Sequence, residues 1–148
     1  MPRHSTLIPL SHDHHEALLI ALRLKKGGPA SVNDRLWPTD LKLQVRSLLL
    51  FYDQELLPHF KLEEDVLFPA SVALTELQPL IESLILQHQE LRKAINSISA
   101  LSDEEHLRKT LSGFGALLES HVRTEERELF PKLEEAERQG RVVLPNLK

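Results

Sequence analysis

Apolar residues recur at three- and four-residue intervals along most of the chain and show no run of strict alternation, which predicts helices and no strands. A first helix, roughly 11–26, is signalled by Ser11 as N-cap, by Leu18, Leu19 and Leu22 on one face, and by Arg23, Lys25 and Lys26 ahead of Gly27-Gly28. The stretch 27–38 is rich in Gly, Pro, Ser, Asn and Asp and reads as a crossover loop, which Trp37 packs onto the bundle. Thr39 then caps a second helix whose stripe of Leu41, Val45, Leu48, Leu49, Tyr52 and Leu56 resumes after Pro58 with Phe60 and Leu67. Pro58 should kink that helix, because its ring displaces the carbonyl four residues back and it has no N–H to donate. A third helix, roughly 75–99, carries Leu77, Leu80, Ile81, Leu84, Ile85, Leu91, Ile95 and Ile98 on one face. Ser102 and Glu105 form a capping box for a fourth, which shows Leu107, Leu111, Phe114, Leu117, Leu118 and Leu129 and ends near Gly140. One long connection followed by two short ones predicts an all-α fold, an antiparallel up-down four-helix bundle.

Composition narrows the picture without changing it. With 148 residues, 41% of them hydrophobic, the chain suits one domain over 1–148, its core within about 10–138 and a short tail after it. A formal charge of −4, with acidic and basic residues interspersed, argues against nucleic acid and against an anionic membrane as partners. No apolar run reaches the roughly 18–20 residues of a membrane helix, and the N-terminus lacks the apolar core of a signal peptide, so a cytoplasmic location is expected. The absence of cysteine excludes disulfides, thiolate metal sites and a Cys nucleophile, leaving nitrogen and oxygen ligands alone.

Within the stripes sits a repeat. Residues 59–69 read HFKLEEDVLFP and residues 121–131 read HVRTEERELFP, a shared H-x-x-x-E-E-x-x-L-F-P. A histidine and a glutamate four residues apart on a helix lie only ~40° from eclipsed, so His59 with Glu63, and His121 with Glu125, project from one face. Glu64 and Glu126, one residue further round, read as solvated or as outer contacts to the site. The Leu-Phe pairs read as plugs for the bundle end, and the prolines as limits on helix continuation.

The inward stripes therefore carry His59, Glu63, His88, His121, Glu125 and a histidine from the cluster His12, His14, His15. A lone His88 on an apolar stripe is more often a satisfied core histidine than a ligand. Taken together, however, an imidazole from every helix and two buried carboxylates require partners, and a cation is the simplest one. Four imidazoles and two carboxylates exceed one tetrahedral zinc and suit two metals bridged by carboxylate, with open positions. Imidazole and carboxylate without thiolate point to iron or manganese, and zinc would also fit. Tyr52 lies on the face of His59 and reads as a core tyrosine near the metals.

The paired motifs, with LSHDHHEAL and LQHQELRKAI ahead of them, resemble the hemerythrin-like HHE cation-binding domains over roughly residues 10–135. The resemblance implies a four-helix bundle around a non-haem di-iron centre that binds or reacts with dioxygen and related small molecules. It implies His59 and His121 as terminal ligands, Glu63 and Glu125 as bridging carboxylates, and His88 as a further ligand. Matching the H-x-E of HHEA to that of HQEL sets His14 opposite His88, whereas matching the apolar residues that follow favours His15. His14 is preferred, with His15 as a second ligand or outer donor and His12 ranked third. The oxygen-carrying members have H-x-x-x-H on the third helix, where this chain has Arg92 four residues after His88. The iron-centre repair members share both H-x-x-x-E motifs but carry a cysteine-bearing N-terminal domain, which is not seen in this sequence.

The function expected is thus a di-iron protein that meets dioxygen, nitric oxide or peroxide, for sensing, scavenging or iron handling, as monomer or homodimer and more a binding protein than an enzyme. Two other readings stand beside it: a metal-regulated interaction or sensory module without redox chemistry, and a di-metal oxidase or hydrolase. No oxyanion motif or extra buried base recommends the last of these.

Overall fold

The computed structural model describes residues 2–147, which form four long helices and, among the described residues, no strand. The first, α1, runs Ile8–Lys26. It begins earlier than its sequence suggests, at Leu7, with Pro9 in the first turn, where a missing N–H costs nothing. Ser11 is therefore no cap: it lies inside the helix and its hydroxyl donates to Glu126 Oε2 at 2.9 Å. At the other end Gly27, at φ 75°, closes the helix with bonds from its own N–H and that of Gly28 to Arg23 O, a left-handed turn that glycine adopts without strain.

The crossover loop is held by one buried ion pair. Arg23 donates to both carboxylate oxygens of Asp34, at 2.8 Å each, and Ala30 N–H donates to the same carboxylate. The Arg23 hydrogen bonds, followed by that of Ala30, lower the Asp34 pKa to about 2. The guanidinium also lies 5.5 Å from the ring centre of Trp37, which packs inward as its position suggests.

Helix α2 spans residues 41–70, α3 Gln78–Ile98 after a 3₁₀ turn at Thr75–Leu77, and α4 residues 104–138. Two expected caps shift by one residue. Asp40, not Thr39, accepts the Leu43 N–H at the start of α2. Asp103, not Ser102 with Glu105, accepts that of His106 at the start of α4. In both places an ionised side chain next to the exposed N–H groups outcompetes a hydroxyl.

The helix α2 runs on through Pro58. The chain widens into a π turn at Tyr52–Leu56, so that Leu57 N–H bonds to Tyr52 O, five residues back, immediately before the proline. The same device recurs in each copy of the repeat. Phe68 N–H closes onto Glu63 O ahead of Pro69, and Phe130 N–H onto Glu125 O ahead of Pro131. A π turn relieves the clash of the ring with the helix and absorbs the missing donor. The two LFP prolines differ in outcome: α2 stops at Ala70, one residue past Pro69, whereas α4 runs on past Pro131 to Arg138. The residue inserted by each wide turn also changes the register of the face, which lets adjacent Leu67 and Phe68, and Leu129 and Phe130, all reach the core.

Helices α1 and α4 lie closest where Gly115 faces α1. A Cβ there would stand 2.8 Å from Ala21 O and 2.9 Å from Leu24 Cβ, so only glycine admits this approach. The interior divides into two apolar slabs. One gathers Ala17, Leu24, Trp37, Leu48, Phe60, Leu91, Phe114 and Leu118 with their neighbours. The other gathers Leu10, Leu67, Leu84, Leu129, Phe130 and Leu133, and it also buries Val142, Leu144 and Leu147 of the C-terminal segment. Along α1 and α3 the change from one slab to the other falls at His14 and His88; along α2 and α4 it falls after Phe60 and Val122, beside Glu63 and Glu125.

Candidate metal centre

Six polar side chains occupy the level between the slabs: His14 from α1, His59 and Glu63 from α2, His88 from α3, His121 and Glu125 from α4, each 4% exposed or less. Their donor atoms fall into two groups that could each hold a cation, one of His14, His59, Glu63 and Glu125, the other of Glu63, His88, His121 and Glu125. The two carboxylates belong to both. Glu63 Oε1 stands 3.5 Å from His59 Nε2 and 3.1 Å from His88 Nε2. Glu125 Oε1 stands 3.3 Å from His14 Nε2 and 2.9 Å from His121 Nε2. Each glutamate therefore spans from one histidine pair to the other. His15 and His12 lie on the exposed side of α1, outside both groups, because one helical step from His14 turns a side chain by ~100°.

Three of the four imidazoles are oriented from behind through an Nδ1 hydrogen bond. His59 Nδ1 donates to Asp13 Oδ2 at 3.0 Å, His88 Nδ1 to Glu64 Oε2 at 2.7 Å and His121 Nδ1 to Gln87 Oε1 at 2.8 Å. His14 Nδ1 stands 3.4 Å from Glu126 Oε2. At His59, His88 and His121 these acceptors favour the tautomer with hydrogen on Nδ1, which turns Nε2 to the interior as a ligand. Glu64 and Glu126 thus act across helices, where helical spacing alone left open whether they meet solvent or the site. Asp13 and Gln87 carried no signal in the sequence beyond standing next to His14 and His88, since each serves a histidine on another helix. The rings are also packed: Phe60 stacks on His88 with centroids 4.0 Å apart, and Phe130 on His14 at 5.4 Å.

The electrostatics of this level are unsatisfied as it stands. No oxygen of Glu63 or Glu125 has a hydrogen-bond partner, and His88 Nε2 faces His121 Nε2 at 3.0 Å, lone pair against lone pair. Without a cation, protons must separate these acceptors. Burial and the Glu125 charge push the Glu63 carboxyl well up. Burial also opposes ionisation of Glu125, but His121, Glu63 and His14 around it hold its pKa well below the usual range. Burial and the neighbouring His121 lower His88 to about 3. At His14 burial works against the charged form, yet contacts with Glu125 and Glu126 outweigh it and raise the pKa to about 9. The set fits metal cations: four imidazole nitrogens and four carboxylate oxygens converge, and the protons they hold are ones a cation would displace.

Against this centre lies a cavity of about 10 Å³, bounded by His14, His59 and His121 on one side and by Leu56, Leu118 and Val122 on the other. That is space for roughly one water molecule, in an apolar wall.

A bundle of four helices around such a donor set defines a metal-binding helical protein. The chain belongs to the hemerythrin HHE cation-binding domain family, whose model matches residues 5–133. No match was found among curated proteins or among solved structures. Among the described residues no helix is long and apolar enough to cross a membrane.

Proposed function

We propose that the chain holds two iron ions at this level and that the centre meets a small ligand of the dioxygen, nitric oxide or peroxide class. Manganese or zinc would find the same donors. His14 and His59 would be the terminal ligands of one ion and His88 and His121 of the other, with Glu63 and Glu125 bridging them; His15 takes no part. The observation that carries this reading is the convergence of inward-facing acceptors, shared through two carboxylates that each touch both histidine pairs.

When bound, a pair of irons supplies open coordination positions and electrons for a small oxidising ligand. The chain's own residues supply the rest. The Nδ1 hydrogen bonds hold His59, His88 and His121 in place, so that little ordering of these rings is left to be done on binding. Leu56, Leu118 and Val122 line the approach with apolar surface, and the cavity beside His59, with space for about one water molecule, does not admit an organic substrate. Protons held by His14 and Glu63 must leave when cations enter, so uptake releases acid.

The test is optical. Iron-loaded protein should show near-ultraviolet bands that move on addition of azide, dioxygen or nitric oxide. Bands that ignore all three would favour the reading of a metal-regulated interaction module.

A further inference from the structure

The two halves of the centre share both carboxylates and have two histidines each, yet what stands behind those histidines differs. Behind His59 is Asp13, half-exposed, with His59 as its close partner at 3.0 Å and no cationic side chain within ion-pair distance among the described residues. Behind His14, at 3.4 Å from Nδ1, is Glu126, which accepts from Ser11 and forms a long ion pair with Arg3 at 3.8 Å, so the free carboxylate of this half is Asp13. Behind His121, in contrast, is the uncharged amide of Gln87. Behind His88 is Glu64, whose same oxygen is shared with Arg92 at 3.2 Å, so its charge is offset where it acts.

An imidazole that gives its Nδ1 hydrogen to a free carboxylate is a stronger ligand through Nε2 than one that gives it to an amide or to a neutralised carboxylate, and the negative charge itself favours a nearby cation. We propose that the half formed by His14 and His59 takes up its cation first and holds it more tightly, while the half formed by His88 and His121 fills second and exchanges more readily. The inference rests on the two-ion reading above. It makes Asp13 and Gln87 positioning residues that set the order of filling, with Arg92 as the group that weakens the second half.

The metal-free protein titrated with cobalt(II) against a coloured chelator would resolve this. Two steps are expected, separated by about 10-fold or more in affinity, the usual scale for outer partners of a ligand histidine. Asp13→Asn should weaken the tighter step by about 10-fold and leave the weaker one nearly unchanged. Gln87→Glu should do the opposite, strengthening the weaker step so that the two converge. Asp13→Glu should restore much of the loss, and the metal-free melting temperature of each variant should match the parent, which separates the effect from a folding defect. Two ions bound with equal affinity, or an Asp13→Asn variant that loses only the weaker step, would overturn the inference and leave the two-ion reading standing. Fewer than two cobalt ions bound to the parent would overturn both.

Discussion

The apolar slabs and the polar level between them are both sealed from water, but they differ in what completes them. In the slabs Leu24, Leu48, Leu74 and Leu133 pack among other apolar side chains, and their burial stabilises the fold whatever the solution contains. At the level of the histidines, burial of the same degree surrounds Glu63 and Glu125 with groups that also lack donors. Such an arrangement costs free energy until a cation or a proton arrives. The bundle therefore folds by its ends and is available for binding in its middle. This separation explains why six polar groups can be buried at one level without unfolding the chain.

The comparison can be broken by substitutions on either side of it. The largest effect is expected from Phe60→Ala, which removes a fully buried ring from its stack on His88. It should cost about 3–5 kcal/mol in denaturant unfolding of the metal-free protein. Glu63→Ala should act oppositely. It should leave metal-free stability unchanged or higher, because one of two repelling acids is gone. It should also abolish the gain that metal confers, about 2.7 kcal/mol at a metal concentration one hundred times Kd. A variant that lost metal-free stability as Phe60→Ala does would show that the level is structural rather than poised for a ligand.

Smaller effects sharpen the boundary between α1 and α4 and the loop that leads out of α1. Gly115→Ala places a methyl group 2.8 Å from Ala21 O and should cost about 1–3 kcal/mol, read from the same unfolding curves. Asp34→Asn should cost least, and with a characteristic pH dependence. The folded pKa of about 2 lies below the unfolded value of about 3.9, so the ion pair contributes fully above pH ~4 and is lost as the pH falls towards 2. Melting temperatures of the parent and the variant should differ at neutral pH and converge across that acidic window. A constant difference would mean that the loop is not anchored through the Asp34 charge.

Periodicity made the helices legible, because each stripe had to face one core and a helix has a single period for doing so. The repeated H-x-x-x-E brought His59, Glu63, His121 and Glu125 to attention for the same reason. Cap residues were less legible: Ser11, Thr39 and Ser102 are all plausible caps in sequence, but α1 starts ahead of Ser11 and the adjacent Asp40 and Asp103 cap in place of the other two. The π turns were not legible as such: Pro58 signals a local distortion of the helix, and the structure supplies it as a wider turn. Tyr52, Glu63 and Glu125 each precede such a proline at one spacing, a pattern visible once the turns are seen. The choice between His14 and His15 and the identity of Asp13 and Gln87 depended on which neighbouring helix each side chain faces. One chain's periodicity does not contain that information.

The most direct test of the account is the metal count of the intact folded protein, grown with iron and weighed by native mass spectrometry. Two metal ions per chain, both lost in Glu63→Ala, is the result predicted here. A chain that carries none, or one ion retained by that variant, would contradict the claim that the polar level is built for a bridged pair.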